Sequence, residues 1–227
     1  MSASIQEQKR AAAAASVALI EPGMTLGLGS GSTAAIMVEL LGARVADGLE
    51  VVGLPTSEGT AAQARGLGIP LTTFDEVRHL DLTIDGADEL DSQLRLIKGG
   101  GGAHLREKIV ASLSARVVII ADSSKHVATL GAYALPVEVV PFAAPALLPK
   151  LADLGCAARI RTADDGAPFR TDENNLIVDC PFGAIQDPEA LARRLDAMPG
   201  VVEHGLFIGL AERALIGTDD GVREIAY

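Results

Sequence analysis

The sequence predicts an α/β fold: a Rossmann-like doubly wound sheet with a second, smaller α+β (ferredoxin-like) domain. Three observations predict it. Apolar, strand-like runs alternate with helical patterns as far as about residue 130, the signature of a parallel sheet with crossover helices. The runs at 24–29, 51–57, 81–88 and 115–122 each end in small or acidic polar residues, where such sheets hold their ligands. Beyond Gly131 the order becomes β-α-β-β-α-β, that of a split βαβ unit.

Each element has its own signal. KRAAAAASVALI (9–20) has a basic start and an apolar run, like a secretory leader. However, alanine dominates it, Glu7 precedes it, and Glu21-Pro22-Gly23 follows without a small-x-small site, so it predicts an N-terminal helix. MTLGLG (24–29), VVGLPTS (51–57), DLTIDGAD (81–88) and ARVVIIAD (115–122) read as strands, with helices at 32–47, about 58–66, and 103–114. In the last helix Leu105, Ile109, Val110 and Leu113 share one face. PVEVV (136–140), a proline-containing helix at 141–154, CAARIR, NLIVDC (175–180), a helix at 187–198 opened by Asp187-Pro188, and a strand at 201–207 complete the smaller unit. RALIG and VREIA, joined by the turn TDDG, form a hairpin that returns to the first domain. The expected division is residues 1–130 plus 206–227 for the larger domain and 131–205 for the smaller, which supplies oligomer contacts.

Bulk properties exclude several classes of function. With 48% apolar and 22% charged residues, the 227-residue chain has the composition of a packed protein. Nineteen Lys+Arg against thirty Asp+Glu give a formal net charge of -11, which repels nucleic acid in the absence of a basic cluster. No apolar run approaches the roughly 20 residues of a membrane span. Cys156 and Cys180 make neither a CxxC pair nor a metal-ligand spacing, and read as free thiols of a cytoplasmic protein.

Four motifs carry chemistry. GLGSGSTA (27–34) follows a strand and opens a helix, so its amides, the positive helix end and the hydroxyls of Ser30, Ser32 and Thr33 suit a phosphate; a tight turn capped by Ser32 or Thr33 is the plainer alternative. DGADE places Asp85, Asp88 and Glu89 within five residues, and their repulsion requires a cation, a metal, a shared proton or solvent. KGGGGAHLRE (98–107) combines a lysine, amides able to approach a ligand closely, and Glu107, offset about 200° from Leu105 and therefore off the apolar face. ADSSK offers Lys125 at another strand end. His79, His104, His126 and His204 are scattered, and read as surface or packing residues rather than metal ligands. Such a rim suits proton transfer beside the carbonyl of a phosphorylated substrate: a carboxylate removes the α-proton while a lysine and N–H donors hold the enediolate.

GLGSGSTA, IDGADE, IKGGGGAHLREK and IADSSK, in this order, resemble the type A ribose-5-phosphate isomerase family; LPVEVVP, PGVVEHGLF and ALIGTDDGV extend the likeness over nearly the whole chain. The resemblance implies interconversion of D-ribose 5-phosphate and D-ribulose 5-phosphate through a cis-enediolate, without metal or organic cofactor, in a homodimer or homotetramer. By the same resemblance Glu107 is the general base, and Asp85 serves ring opening and proton transfer between sugar oxygens. Asp88 and Lys98 orient and polarise the substrate. Gly86, Ala87 and Gly99, Gly100 and Gly101 lie beside them. Ser30, Gly31, Ser32 and Thr33 form the phosphate loop, with Lys125 and Lys9 adding charge. Two departures stand out. Ser30 replaces a common threonine, and His104 enters the run before Arg106-Glu107, where it bears on the pH response of the cleft. Two other readings are open to the same letters: a sugar-phosphate sensor without turnover, and a dinucleotide enzyme using G-S-G-S-T-A with Glu58 as its ribose acid.

Overall fold

The computed structural model describes residues 3–226. Helix α1 (Ile5–Val17) opens on a reciprocal cap: Ser4 Oγ accepts from Glu7 N, and the Glu7 carboxylate accepts from Ser4 N. The alanine run is thus a helix, buried through Ala12, Ala13 and Val17. There follow β1 (Thr25–Leu28), α2 (Ser32–Ala46), β2 (Val52–Pro55), α3 (Glu58–Gly66), β3 (Leu82–Gly86), β4 (Glu89–Leu90), β5 (Leu96–Ile97), α4 (His104–Ser112) and β6 (Val117–Asp122). Next come β7 (Leu135–Val139), α5 (Ala144–Ala152), β8 (Arg159–Ile160), β9 (Leu176–Cys180), α6 (Pro188–Asp196), β10 (Val201–His204), β11 (Leu206–Phe207), β12 (Arg213–Thr218) and β13 (Gly221–Ala226).

A six-stranded sheet in the order β13-β12-β6-β3-β1-β2 forms the centre, parallel throughout except for the β12–β13 hairpin at its edge. One apolar layer, with Met37, Leu41, Leu26 and Ile120, lies under α1 and α2; a second, with Ile119, Ala121, Ala214 and Phe207, lies on the other side. The hairpin is tied to the first helix. Gln8 donates to Asp219 Oδ1 at 2.9 Å and accepts from Ser123 N and Oγ at 3.1 and 2.8 Å.

The stretch from Leu135 to His204 builds a separate antiparallel sheet, β10-β7-β9-β8, backed by α5 and α6 over Leu147, Leu151, Val178 and Leu195. This is the strand order of a split βαβ unit. The expected strand at 201–207 is divided. Gly205 leaves the small sheet and Leu206–Phe207 pair with β5 in a third sheet, β11-β5-β4, whose two-residue strands are too short to show a period. The break is required by close approach: Lys98 N donates to Gly205 O at 2.9 Å, Gly205 N to Pro136 O at 2.8 Å, and a Cβ on Gly205 would lie 2.2 Å from Lys98 O.

Helix α4 differs from expectation in its orientation. Of the predicted apolar face only Val110 is buried; Ile109 and Leu113 are 42% and 41% exposed, and Leu105 is half-buried. The helix instead turns His104, Glu107, Val110 and Ala111 inward. Apolar spacing identified a stripe, but the buried ionic partner of Glu107 decides which side faces the protein.

Gly205→Ala tests the junction between the sheets. The added methyl group overpacks it, costing about 1–3 kcal/mol, and thermal melting is expected several degrees below wild type.

Candidate active site

The site is assembled at the carboxyl ends of β1, β3 and β6. Gly31 is the N-cap of α2, with φ 99° and no side-chain cap, so neither Ser32 nor Thr33 closes that helix end. The first-turn amides of a fifteen-residue helix are thus left for an anion. Lys9, delivered by α1, donates to Ser32 Oγ at 2.9 Å. The Ser30 hydroxyl is otherwise employed: it meets Thr56 Oγ1 and Ser57 Oγ at 2.7 Å and Thr60 Oγ1 at 3.1 Å. These contacts engage the single hydroxyl proton, so Ser30 lines the cleft while its Oγ ties the ends of β1 and β2 together.

The three acids of DGADE do not share one counter-charge. Asp85 is buried and accepts from Ser30 N at 3.1 Å, Gly86 N at 2.7 Å and the Lys98 ammonium at 3.0 Å. Asp88 accepts from Gly100 N at 2.7 Å. Glu89 turns away from the cleft, accepting from the amides of Gly131 and Tyr133.

Lys98 is the junction. It is 3% exposed, contacts the Glu107 carboxylate at 3.3 Å as well as Asp85, donates to Gly86 O, and has the Phe207 ring 5.5 Å away. Burial alone would lower its pKa, but Asp85 and Glu107 outweigh that and hold it above the ordinary lysine value. Burial, reinforced by the negative charge of Asp85 and opposed by Lys98, pushes the Glu107 carboxyl up to about 8. Burial likewise raises Asp85 against the pull of Lys98 and its two amides.

The tetraglycine loop meets its neighbours almost everywhere. Gly99 and Gly102 have φ 102° and 81°, which side chains rarely adopt. A Cβ on Gly100 would come within 2.6 Å of both Asp88 Oδ1 and the Tyr133 hydroxyl; only Gly101 faces open space. His104, behind the loop, is fully buried 3.8 Å from Glu138, and burial with Lys108 and Arg161 nearby lowers its pKa to about 3. It stays neutral at working pH, contrary to the expected influence on the pH response of the cleft. His204 is also buried, whereas His79 is exposed and His126 half-buried.

A cleft of about 120 Å³ collects Lys9, Ser30, Gly31, Ser32, Thr33, Gly86, Ala87, Asp88, Lys98, Gly99, Gly100, Gly101, Glu107 and Lys125. Of the site residues that the family resemblance implies, only Asp85 does not line it; it sits behind Lys98. Glu58 lies elsewhere, paired with Arg106 at 2.9 Å beside a larger cavity of about 620 Å³. Sequence reading missed the hydroxyls of Thr56, Ser57 and Thr60, and Arg161, which donates to Gly99 O and Gly100 O. Only the PTS strand end hinted at the former, and nothing local at the latter.

Comparison with known proteins agrees with this geometry. The profile of the family described as ribose 5-phosphate isomerase A (phosphoriboisomerase A) matches residues 52–221. The chain belongs to that family. Curated relatives named ribose-5-phosphate isomerase A include one from Parvibaculum lavamentivorans, 55% identical over 95% of this chain and 96% of the relative. Another, from Roseiflexus sp. (strain RS-1), is 59% identical over 91% and 90%. Among solved structures, ribose 5-phosphate isomerase A from Methanocaldococcus jannaschii superposes with a TM-score of 0.94 at 40% identity, covering 99% of this chain and 100% of that one. A D-ribose-5-phosphate isomerase in complex with phospho-erythronic acid gives 0.96 at 35%, with the same coverage.

The raised Glu107 pKa has a consequence for stability. A carboxyl that holds its proton more tightly when folded than at its ordinary value of 4.5 favours the folded state below that value. The advantage is lost as pH rises toward 8. Glu107→Gln removes this slope, so its melting temperature is expected to gain on wild type between pH 5 and pH 9. Melting curves that stay parallel over that range would contradict the raised value.

Proposed function

We propose that the chain interconverts D-ribose 5-phosphate and D-ribulose 5-phosphate, an aldose–ketose isomerisation of the non-oxidative pentose phosphate pathway, through a cis-enediolate. The observation that carries this reading is a buried carboxylate, Glu107, 3.3 Å from a buried ammonium, Lys98, in one cleft with an open helix N-terminus. The phospho-erythronic acid bound in one solved relative supports a phosphorylated sugar derivative as the ligand.

In this reading the phosphate rests on the amides of Ser32 and Thr33 with Lys9 and Lys125 alongside, which places the carbonyl end of the open-chain sugar near Lys98. Glu107 takes the proton from C2. The electron pair moves to the carbonyl oxygen, where the ammonium and loop amides meet the developing negative charge; the proton on O2 passes to O1, and Glu107 returns its proton to C1, leaving the ketone at C2. A carboxyl with pKa about 8 is a stronger base than an exposed glutamate, and burial is the cause. Asp88 orients the sugar hydroxyls. Asp85 acts from behind, keeping Lys98 charged and aimed; ring opening by Asp85 would require movement of the lysine.

We further assign residues 1–130 with 206–227 as the catalytic domain and 131–205 as the smaller domain, in a cytoplasmic homodimer or homotetramer. Phe142 is 96% exposed, with Val140 and Val202 also exposed, which supports the smaller unit as the oligomer surface.

The activity test is direct. Purified protein incubated with ribose 5-phosphate and a chelator is expected to form ketose at the rate seen without chelator. Glu107→Gln is expected to lose at least about 10²-fold in kcat, the lower end of what a positioned base contributes, while still binding the sugar phosphate; near-normal turnover would refute the assigned base. For wild type, kcat/KM is expected to rise with pH up to about 8, as Glu107 loses its proton.

A further inference from the structure

We propose that Arg161 is a positioning residue for the isomerisation: from the small sheet it holds two successive glycine carbonyls and so aims the Gly100 and Gly101 amides. The inference rests on the functional reading above and extends it to a residue outside the cleft.

Arg161 follows β8. One guanidinium nitrogen, Nη1, donates to Gly99 O at 2.9 Å and to Gly100 O at 3.0 Å. The rest of the group is engaged by Asp179, with Nε to Oδ2 at 3.1 Å and Nη2 to Oδ1 at 2.6 Å, and the Phe169 ring lies 5.9 Å from its centre. The arginine backbone is fixed as well: its N–H donates to Ile177 O and its carbonyl accepts from Phe169 N, both at 2.8 Å. Phe169 in turn packs where a Cβ on Gly102 would stand. The grip is therefore rigid at its base and bidentate at its anchor.

Peptide geometry converts this grip into direction. In a trans peptide the C=O of one residue and the N–H of the next point opposite ways. Drawing Gly99 O toward Arg161 sends Gly100 N–H the other way, where it meets Asp88 Oδ2 at 2.7 Å. Drawing Gly100 O the same way does likewise for Gly101 N–H, which has no acceptor among the described residues and belongs to the cleft wall. Four glycines have no side chains with which to resist rotation of these peptide units. Gly102 N also donates to Gly99 O at 3.0 Å, closing the turn, but nothing within the loop constrains the Gly100 carbonyl. Arg161 therefore sets both the orientation of Asp88 and the free donor offered to the substrate.

The experiment compares wild type, Arg161→Lys, Arg161→Ala and Asp179→Asn in the full chain for kcat, KM and melting temperature. Wild type turns over ribose 5-phosphate. In Arg161→Ala kcat is expected to fall roughly 10²-fold, as for a reacting geometry misplaced by about an ångström, with KM changed only a few-fold. Millimolar methylguanidinium should restore part of kcat, and Arg161→Lys should lie between Ala and wild type. If Arg161→Ala does not fold, Asp179→Asn carries the test, since it keeps the guanidinium but frees it: a lower kcat at unchanged melting temperature is expected. Lower stability with unchanged kcat per folded molecule, or no rescue by methylguanidinium, would overturn the proposal. A wild type that forms no ketose would sink the functional reading along with it, whereas an active wild type with equally active Arg161 variants sinks only this inference.

Discussion

Everything at this site depends on keeping one ammonium group dry. Moving a lysine out of water costs several kcal/mol even after relaxation, and the cost is recovered only if opposite charges and hydrogen-bond acceptors surround it closely. Lys98 has Asp85 at 3.0 Å, Glu107 at 3.3 Å, the Gly86 carbonyl and the face of Phe207. They come from three elements. Strand β3 delivers Asp85, α4 delivers Glu107, and β11 delivers Phe207 while pairing with β5, the strand that leads into Lys98. The central sheet and the three-stranded sheet are thus joined where the charge is buried, and the same burial that makes Lys98 demanding makes Glu107 basic.

Much of this was legible in the sequence because it is local. Strand runs that end in polar residues located the rim, and the tetraglycine stretch pointed to close packing around a loop. The β-α-β-β-α-β order named the smaller sheet. What could not be read depends on partners distant in sequence. The stripe of Leu105, Ile109 and Leu113 is correctly spaced but faces outward, because Glu107 is drawn inward by a lysine nine positions earlier. Ser30 carries a hydroxyl suited to phosphate, yet Thr56 and Ser57 claim it. Arg161 lies 62 residues from the carbonyl of Gly99, and no periodicity in the strand before it announces that bond.

The small sheet therefore does more than extend the molecule. Its hydrogen bonds reach the tetraglycine loop through Arg161, while Phe169 fills the space beside Gly102 and Glu138 faces His104 behind Gly99. A flexible loop is held firm by contacts made outside the cleft, so the amides remain free for a ligand.

The clasp between Gln8 and the closing hairpin bears on how the molecule is made. Lys9, beside Gln8, reaches the anion cradle because α1 rests on α2, β12 and β6, and Gly217 leaves no room for even a methyl group against Gln8 O. A ribosome releases the first helix long before residues 213–218, and chains acquire structure as they emerge. The earliest helix finds its last seat on one of the last strands, so a nascent polypeptide stopped short of that hairpin would lack the Gln8–Asp219 bond and the β12 face that help hold Lys9 at Ser32.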